Sequence, residues 1–301
     1  MKILKNIFSL VFKVSRFRFW MYTAGTYVVG YALGMTSWLD FFNLDYIIYL
    51  IYFIFPANVF LYGINDYWDL ETDKLNPKKT EKEYLIIERD RRNLRLLLGT
   101  VIAVSVILLI FQKNILERVI FITFLVLSYF YSAKPLRFKT VPFLDFSSNI
   151  LYIMPGIFAY IQITGVFPPL LVILAGFLHT SAMHLFSAIP DIEPDKAVGI
   201  NTTAVFLNTK PSLLLCFSFW SVFSLIFLFY AAFSPLSFLV YFYPGFRILS
   251  VLTLLYPALP LALLLKAELN IEKIYWFYPY INTFLGGLLF TLLSISKLYI
   301  L

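Results

Sequence analysis

Nine long apolar stretches follow one another along this chain, and they limit its possible folds more than any other feature. About 20 apolar residues in a helix span the hydrocarbon core of a bilayer and satisfy their backbone polar groups internally. Hydrophobic residues make up 60% of the 301 residues and charged residues 14%; soluble domains have about 45–50% and about 25%. This balance excludes a soluble enzyme, a disordered chain and a free nucleic-acid-binding domain. We predict an all-α polytopic membrane protein with nine transmembrane helices.

The predicted spans are continuous in apolar character and are separated by polar or helix-breaking residues. They cover residues 20–38, 46–64, 94–111, 116–131, 143–164, 168–189, 212–233, 246–265 and 276–296. No soluble domain is left over, so residues 1–301 are predicted to form a single transmembrane domain. The longest polar stretch, residues 66–93, is predicted to be a lid-like loop within that domain, with its amphipathic and charged part at 76–93.

Basic residues indicate how the spans are oriented. Of the 24 Lys and Arg residues, 20 lie in the N-terminal segment and in alternate loops, starting with the loop after the second span. Because Lys and Arg collect in cytoplasmic loops, we predict an odd number of spans and a cytoplasmic N-terminus. The loops that follow the even-numbered spans are predicted to be cytoplasmic as well.

An acidic cluster lies at the end of the second span. Asn65, Asp69 and Asp73 are spaced four residues apart, so a continuing helix places them on one face, and Asp66 adjoins it. Like charges at this spacing repel each other, so no local interaction explains the cluster. Mg²⁺ takes hard oxygen ligands, usually one or two carboxylates together with substrate phosphates. We therefore predict that these four residues bind Mg²⁺.

A second acidic cluster lies at the end of the sixth span, on the same predicted face of the membrane. Asp191 and Asp195 are again four residues apart, although Pro194 disfavours a regular helix through them. Either cluster alone is compatible with a solvated helix end. Two clusters after corresponding spans favour Mg²⁺ ions that bridge a diphosphate. Such ions neutralise a leaving diphosphate, so that the carbon–oxygen bond of an allylic diphosphate can ionise.

Basic residues on the same face could hold the phosphate oxygens. Lys134, Arg137 and Lys139 follow the fourth span, and Arg16 precedes the first. Arginine can bind phosphate bidentately. The alternative for these residues is simple cytoplasmic anchoring of the spans. The 33 Phe, 21 Tyr and 5 Trp residues would suit a dry pocket for an allylic cation, but lipid-facing surfaces also use aromatic residues.

Two further polar features lie within the predicted spans. His184 precedes Asp191 by seven residues and so falls on the same helix face, about two turns deeper. It could accept a proton when a prenylated cation collapses, or it could pack between helices as a hydrogen-bonding residue. Asp145, Ser148 and Asn149 open the fifth span. They either cap that helix or contact substrate, and the sequence does not choose between these roles.

Three segments, NDYWDLETD, YSAKPLRFK and DIEPDKAVG, resemble the signatures of the UbiA-type intramembrane prenyltransferases. The matching positions are Asn65, Asp66, Asp69 and Asp73, then Tyr131, Pro135, Leu136, Arg137 and Lys139, and finally Asp191 and Asp195. The resemblance implies nine helices around a central cavity, with two aspartate-rich motifs that bind Mg²⁺ and diphosphate. Lys134 stands where many members have a second proline. Lys78 and Lys79 stand where many members have an Arg-Thr…Arg-Pro segment.

The resemblance also implies roles for the matching residues. Asp69, Asp73, Asp191 and Asp195 would be essential for ionisation of the donor. The metal would be bound by Asn65, Asp66, Asp69, Asp73, Asp191 and Asp195. The diphosphate would be held by Asn65, Arg137, Lys139, Lys134 and Arg16.

A narrower resemblance concerns the acceptor. The segments SRFRFWMYTAGTYVVG and HLFSAIPDIEPDKAVGINTTAV are similar to the carotenoid-prenylating, lycopene elongase-like branch of the family. That branch adds a dimethylallyl group to the end of a C40 polyene. The resemblance implies an allylic diphosphate donor and a lipophilic isoprenoid acceptor that arrives from the bilayer.

Other functions stay open at this point. The acceptor could be an aromatic quinone precursor or a prenylated glycerol phosphate. The chain could also be a cation-coupled transporter, but transporters place charges near the bilayer midplane at broken helices, whereas these acidic clusters lie at span ends. A catalytically inactive protein that only holds prenyl lipids is a further alternative, which the complete acidic motifs disfavour.

Overall fold

The computed structural model describes residues 10–70, 86–87, 90–233, 243–266 and 270–298. Nine long helices follow one another in these ranges, at the places where the apolar stretches predict them. They are α1 (Trp20–Gly34), α2 (Leu44–Trp68), α3 (Arg91–Phe111), α4 (Ile115–Ser132), α5 (Leu144–Thr164), α6 (Leu170–Ala197), α7 (Thr209–Phe233), α8 (Pro244–Leu265) and α9 (Ile271–Leu298). The described ranges contain no β-strand, and the predicted all-α membrane fold is confirmed.

Helix α1 is shorter than its apolar stretch. In the described part of the chain, 8 helices are long and apolar enough to cross a membrane, and α1 is not among them. It has 15 residues and ends at Gly34, which gives it a length of about 22 Å. Its predicted end at residue 38 is therefore wrong, because a 3-10 turn, Trp38–Phe42, forms there and is capped by the Ser37 side chain.

Helix α2 bends at Phe55, directly before Pro56. Proline has no N–H to continue the helical hydrogen bonds, so side chains satisfy the freed carbonyls. The carbonyl oxygen of Phe53 accepts from the Thr23 hydroxyl at 2.6 Å and from Asn58 Nδ2 at 3.0 Å. Asn58 Nδ2 also donates to the carbonyl oxygen of Ile54 at 2.9 Å. The bend is thus compatible with a bilayer, where an unsatisfied backbone group is costly.

Helices α1 and α5 cross with their backbones in contact. A Cβ atom added to Gly30 would lie 2.1 Å from the carbonyl oxygen of Gly156. Beside this crossing, the Thr26 hydroxyl donates to the carbonyl oxygen of Tyr152 at 2.8 Å. Small residues allow membrane helices to approach this closely and to pack without a hydrophobic driving force between them.

Two apolar clusters make up most of the core. One joins α1, α2, α4 and α5, and the other joins α6 to α9. Helix α1 packs on α9, and α5 packs on α6, so the two clusters are joined at two places. Helix α3 packs against the second half of α2. The ends of α2, α4 and α6 meet at one end of the bundle, and both acidic motifs lie there.

Candidate active site

The first acidic motif is built on the last turn of α2. The regular helix ends at Trp68, and the backbone N–H of Asp69 donates to the carbonyl oxygen of Asn65 at 3.0 Å. Asn65 Nδ2 donates to Asp69 Oδ2 at 2.9 Å and to the hydroxyl of Ser132 on α4 at 2.9 Å. Asn65 and Asp69 therefore share a face, as their spacing predicts. Asp73 lies outside the described residues.

Three basic side chains surround the carboxylates of this motif. Arg16 Nη2 lies 2.8 Å from Asp66 Oδ1, and Arg137 Nη2 lies 2.9 Å from Asp69 Oδ1. The ammonium group of Lys139 pairs with Asp69 Oδ2. The side chains of Asp66 and Asp69 are only 4% and 3% exposed. The site therefore concentrates opposite charges in a region that water scarcely reaches.

The backbone conformation sets the direction of two of these basic side chains. Arg16 and Arg137 have φ angles of 49° and 40°, in the left-handed region that non-glycine residues seldom adopt. Each directly precedes a 3-10 turn, Phe17–Phe19 or Phe138–Thr140. Such unfavourable conformations persist only where the surrounding structure fixes them, and they are concentrated at functional sites. Both turns direct a guanidinium group toward the end of α2.

Arg137 Nε and Lys134 differ from the paired groups in their contacts. Arg137 Nε is buried and has no hydrogen-bond partner among the described residues, so within them this guanidinium keeps one donor for a further acceptor. Lys134 is exposed, and it does not join the ion pairs formed around Asp66 and Asp69 by the described residues. Its predicted contact with diphosphate stays a prediction.

The second acidic motif lies where α6 changes conformation. The helix tightens into a 3-10 turn over Ile189–Asp191 and resumes as α-helix over Ile192–Ala197. Pro194 falls in the first turn of that last segment, where its missing N–H costs little. The regular helix is therefore interrupted before Asp191 and not at Pro194. Asp191 and Asp195 are both half-buried.

Asp145 is a buried anchor that holds the loop after the second motif. Its carboxylate accepts hydrogen bonds from the backbone N–H of Phe146 at 2.9 Å, from the backbone N–H of Thr203 at 2.8 Å, and from the Thr203 hydroxyl. Ser148 and Asn149 donate to its backbone carbonyl oxygen at 3.3 and 2.6 Å. In the structure these three residues stabilise the start of α5 and tie it to the segment that follows α6.

Aromatic side chains continue from the first motif into the interior. The guanidinium of Arg16 lies 4.7 Å from the centre of the Tyr62 ring. The hydroxyls of Tyr62 and Tyr152 are 3.3 Å apart, and the Tyr22 ring packs edge-on against Tyr152 with 6.1 Å between centroids. These tyrosines cannot be singled out from the sequence, because an aromatic residue in a span gives no indication of the direction it faces.

A tyrosine–histidine pair lies between the two motifs. The Tyr131 hydroxyl is 3.5 Å from Nδ1 of His184, and the rings meet edge-on with 5.9 Å between centroids. Tyr131 directly precedes Ser132, which accepts from Asn65, and it interacts electrostatically with Asp69. His184 in turn interacts electrostatically with Asp191. The two motifs therefore border the same interior.

The chemistry of the donors is compatible with Mg²⁺. Asn65, Asp66 and Asp69 present hard amide and carboxylate oxygens within one turn of helix, and Mg²⁺ commonly combines one or two carboxylates with substrate phosphates. Within the described ranges, no three His, Cys, Asp or Glu side chains form a ready-made metal site.

These features define an integral, multi-pass membrane protein with a buried, charged site at one end of its helix bundle. The sequence profile described as the UbiA prenyltransferase family matches residues 23–271. The chain belongs to the UbiA prenyltransferase family and is a prenyltransferase. The predicted family is thus confirmed, and the transporter and inactive-scaffold alternatives are set aside.

Named relatives point to the same branch. The chain is 37% identical over 291 residues to the lycopene elongase/hydratase of Halobacterium salinarum, covering 95% of this chain and 97% of that protein. It is 37% identical over 282 residues to the lycopene elongase/hydratase of Haloferax volcanii, covering 92% of this chain and 85% of that protein. The resemblance to the carotenoid-prenylating branch is confirmed by this similarity.

Solved structures share the fold. The structure of a UbiA homolog from Archaeoglobus fulgidus bound to GPP and Mg²⁺ superimposes with a TM-score of 0.70 at 19% identity, covering 94% of this chain and 99% of that one. The apo structure of a UbiA homolog from Aeropyrum pernix gives a TM-score of 0.68 at 15% identity, covering 91% of this chain and 97% of that one. At these identities the likeness establishes the arrangement of helices.

Proposed function

We propose that this enzyme transfers a dimethylallyl group from its diphosphate to the end of a carotenoid such as lycopene, in a reaction that requires Mg²⁺. The observation that carries the proposal is the group of paired carboxylates and basic side chains at the end of α2, beside the aromatic rings of Tyr62 and Tyr152. Relatives named lycopene elongase/hydratase, similar over almost the whole chain, support the carotenoid as acceptor. The bound GPP and Mg²⁺ of the Archaeoglobus fulgidus homolog support the class of donor.

The two acidic motifs would hold the metal. Asn65, Asp66 and Asp69 present their oxygens at the end of α2, and Asp73 is the fourth predicted ligand of that motif. Asp191 and Asp195 would serve a second ion. When bound, Mg²⁺ neutralises charge on the diphosphate and so makes it a better leaving group.

The basic side chains would hold the diphosphate itself. Arg16, Arg137 and Lys139 pair with Asp66 and Asp69 in the structure. Phosphate oxygens can take the place of these carboxylates as partners, which frees the carboxylate oxygens for metal. The Nε of Arg137, which has no hydrogen-bond partner in the described part of the chain, offers an additional donor. Hydrogen bonds that involve a charged group are the stronger kind. Lys134 is the fourth predicted cation, and it would approach from the exposed rim.

The interior would protect the cation formed by ionisation. The carbon–oxygen bond of the donor breaks, and its electron pair leaves with the diphosphate. Tyr62 and Tyr152 lie beside the charged site, where aromatic faces stabilise a cation and little water can quench it. A double bond of the acceptor then attacks the allylic carbon, so no side-chain nucleophile is needed.

We also propose that the N-terminus and the site are on the cytoplasmic side, because 20 of the 24 basic residues lie in the segments on that side. The native Cys216 is buried and should not react with an impermeant maleimide. In intact cells, Lys113→Cys should therefore be labelled and Lys134→Cys should not. The opposite pattern would overturn the orientation.

The predicted lid, residues 66–93, is only partly described. The structure places 66–68 in α2 and 91–93 in α3, and residues 71–85 and 88–89 lie outside the described residues. We propose that the segment between these helices acts as a lid over the site. Deletion of 76–85 should then raise donor hydrolysis relative to transfer; an unchanged ratio would refute that role.

The function is tested in cells that accumulate lycopene. Expression of the unmodified chain should give C45 or C50 carotenoids, detectable by mass. Asp69→Asn and Asp191→Asn should each lower the yield at least about 100-fold, in the range of losses when one group that stabilises charge in the transition state is removed. Glu193→Gln is the matched control, because Glu193 lies in the second motif but is exposed and pairs with Lys196 at 3.1 Å.

Two results would contradict the proposal. Full activity of both aspartate variants would refute the role of the acidic motifs. A prenylated quinone precursor or a prenylated glycerol phosphate in place of elongated carotenoids would refute the proposed acceptor and leave the prenyltransferase chemistry intact.

A further inference from the structure

One face of α6 is partly accessible between Thr180 and Asp191. The half-buried residues at helical spacing on this face are Thr180, Met183, His184, Ser187 and Asp191. The residues between them on the opposite faces, Ser181, Ala182, Leu185 and Phe186, are completely inaccessible. Because residues three and four apart share a helix face, the half-buried residues form one strip, which ends at the second acidic motif.

His184 lies on this strip about two helical turns before the second motif. Its Nδ1 lies 3.5 Å from the Tyr131 hydroxyl, and the Ser187 hydroxyl donates to its backbone carbonyl at 2.7 Å. Tyr131 is adjacent in sequence to Ser132, the partner of Asn65. The half-buried imidazole is therefore connected through α4 to the first motif and along α6 to the second.

A buried carboxylate partly offsets the cost of placing a proton on this imidazole. Burial disfavours an imidazolium at His184, and electrostatic attraction to Asp145 opposes that effect. Asp145 is 0% exposed, and its carboxylate accepts three hydrogen bonds, from Thr203 twice and from Phe146 once. These bonds fix the position of the negative partner.

We propose that His184 is the catalytic base that accepts the proton released when the prenylated carbocation collapses. The inference rests on the proposed function. After attack by the acceptor double bond, a carbon–carbon bond has formed and the neighbouring carbon of the acceptor carries the positive charge. An adjacent C–H bond then gives its electron pair to a new double bond and its proton to the imidazole. If water adds to the cation instead, the proton from that water goes to the same nitrogen.

The second histidine of the chain provides a matched control. His179 lies on the same helix, five residues before His184, and its Nδ1 accepts from Trp220 Nε1 at 3.3 Å. It packs against Phe223 and Tyr256 in the C-terminal core. It is remote from the basic side chains around Asp69. If these substitutions act only by disturbing the packing of α6, both should therefore lower the activity to a similar extent. If His184 is the base, only its substitution should do so.

The experiment compares His184→Gln, His179→Gln and Asp69→Asn in detergent-solubilised enzyme with dimethylallyl diphosphate, Mg²⁺ and lycopene. We expect His184→Gln to lower formation of elongated carotenoid about 100-fold or more, in the range of general acid–base effects, while donor affinity changes less than threefold. His179→Gln should keep most of the activity. Added imidazole should partly restore a His184→Gly variant.

Three outcomes would overturn the inference. His184→Gln could keep more than a third of the activity, it could lose donor affinity together with turnover as Asp69→Asn does, or imidazole could fail to rescue His184→Gly when that variant is folded and binds donor. Absence of elongated carotenoid with the unmodified enzyme would instead refute the proposed function, and the inference with it.

Discussion

The crossing of α1 and α5 should not tolerate a methyl group at Gly30. The Cβ atom of Gly30→Ala would lie 2.1 Å from the carbonyl oxygen of Gly156 and 2.6 Å from its Cα. Real Cβ atoms essentially never approach another atom within 3.0 Å. The two helices must therefore separate by about 0.9 Å, the difference between 3.0 Å and 2.1 Å. The atoms in the way belong to the backbone and cannot rotate aside as a side chain can.

The expected loss of stability follows from this separation. A gap of about 0.5–1 Å forfeits a quarter to a half of the dispersion attraction across an interface, and overpacked cores lose typically about 1–3 kcal/mol. The displacement should also weaken the bond from Thr26 to the Tyr152 carbonyl. Because Tyr152 borders the interior beside Tyr62, we expect a lower rate of prenyl transfer as well as a lower midpoint of thermal denaturation in detergent.

Gly99→Ala is the matched control for this prediction. Gly99 lies in α3, and a Cβ atom there has nothing within 4 Å. Alanine is favoured over glycine in a helix interior by roughly 0.5–1 kcal/mol, so this variant should be as stable as the unmodified enzyme or more so. If Gly30→Ala has the same midpoint and the same transfer rate as Gly99→Ala, the close crossing of α1 and α5 is wrong.

Three other variants test separate parts of the structure. Asn58→Leu should destabilise the protein by about 1–3 kcal/mol, since the carbonyls freed at the bend lose a donor; an unchanged denaturation midpoint would contradict this. Asp145→Asn should lower the midpoint by a similar free energy, because an amide nitrogen would face the donors of Thr203, and Thr203→Val should not add to the loss if the two act as one unit. Arg137→Lys should raise the KM for the donor diphosphate at least about tenfold, as lysine cannot replace a planar bidentate donor; an unchanged KM would remove Arg137 from the diphosphate site.

The positions of the helices could be predicted from the sequence because the bilayer imposes a length on every apolar stretch. The shared face of Asn65 and Asp69 could also be predicted, since it depends only on helical spacing. The early end of α1 could not, because Met35, Thr36 and Ser37 include no charge or proline that would mark the end of a span before Trp38. The bend at Pro56 lies inside the predicted second span, and the way in which Asn58 compensates for it depends on contacts that the sequence does not show.

The ion pairs of the candidate site join residues that are far apart in the sequence. The sequence predicts that these charges lie on one face of the membrane, but it does not predict which of them pair. Arg16 and Asp66 are 50 positions apart, and Arg137 and Asp69 are 68 apart. Charge placement indicates the membrane face, but the partner of each arginine depends on how the helix ends meet. The role of Asp145 as an anchor for Thr203 was missed for the same reason. A carboxylate at the start of an apolar span was the available signal, since such groups need a partner.

The central claim is that the ends of α2 and α6 together hold a metal-bound diphosphate, and the position of the metal tests it most directly. The measurement is the anomalous scattering of Mn²⁺ in crystals of the enzyme with a non-reactive analogue of dimethylallyl diphosphate. The account predicts Mn²⁺ bound to Asp66 or Asp69 and to Asp191 or Asp195, with the diphosphate between the two motifs and in contact with Arg137. Mn²⁺ at a site that involves neither motif, or a diphosphate bound away from the end of α2, would contradict it.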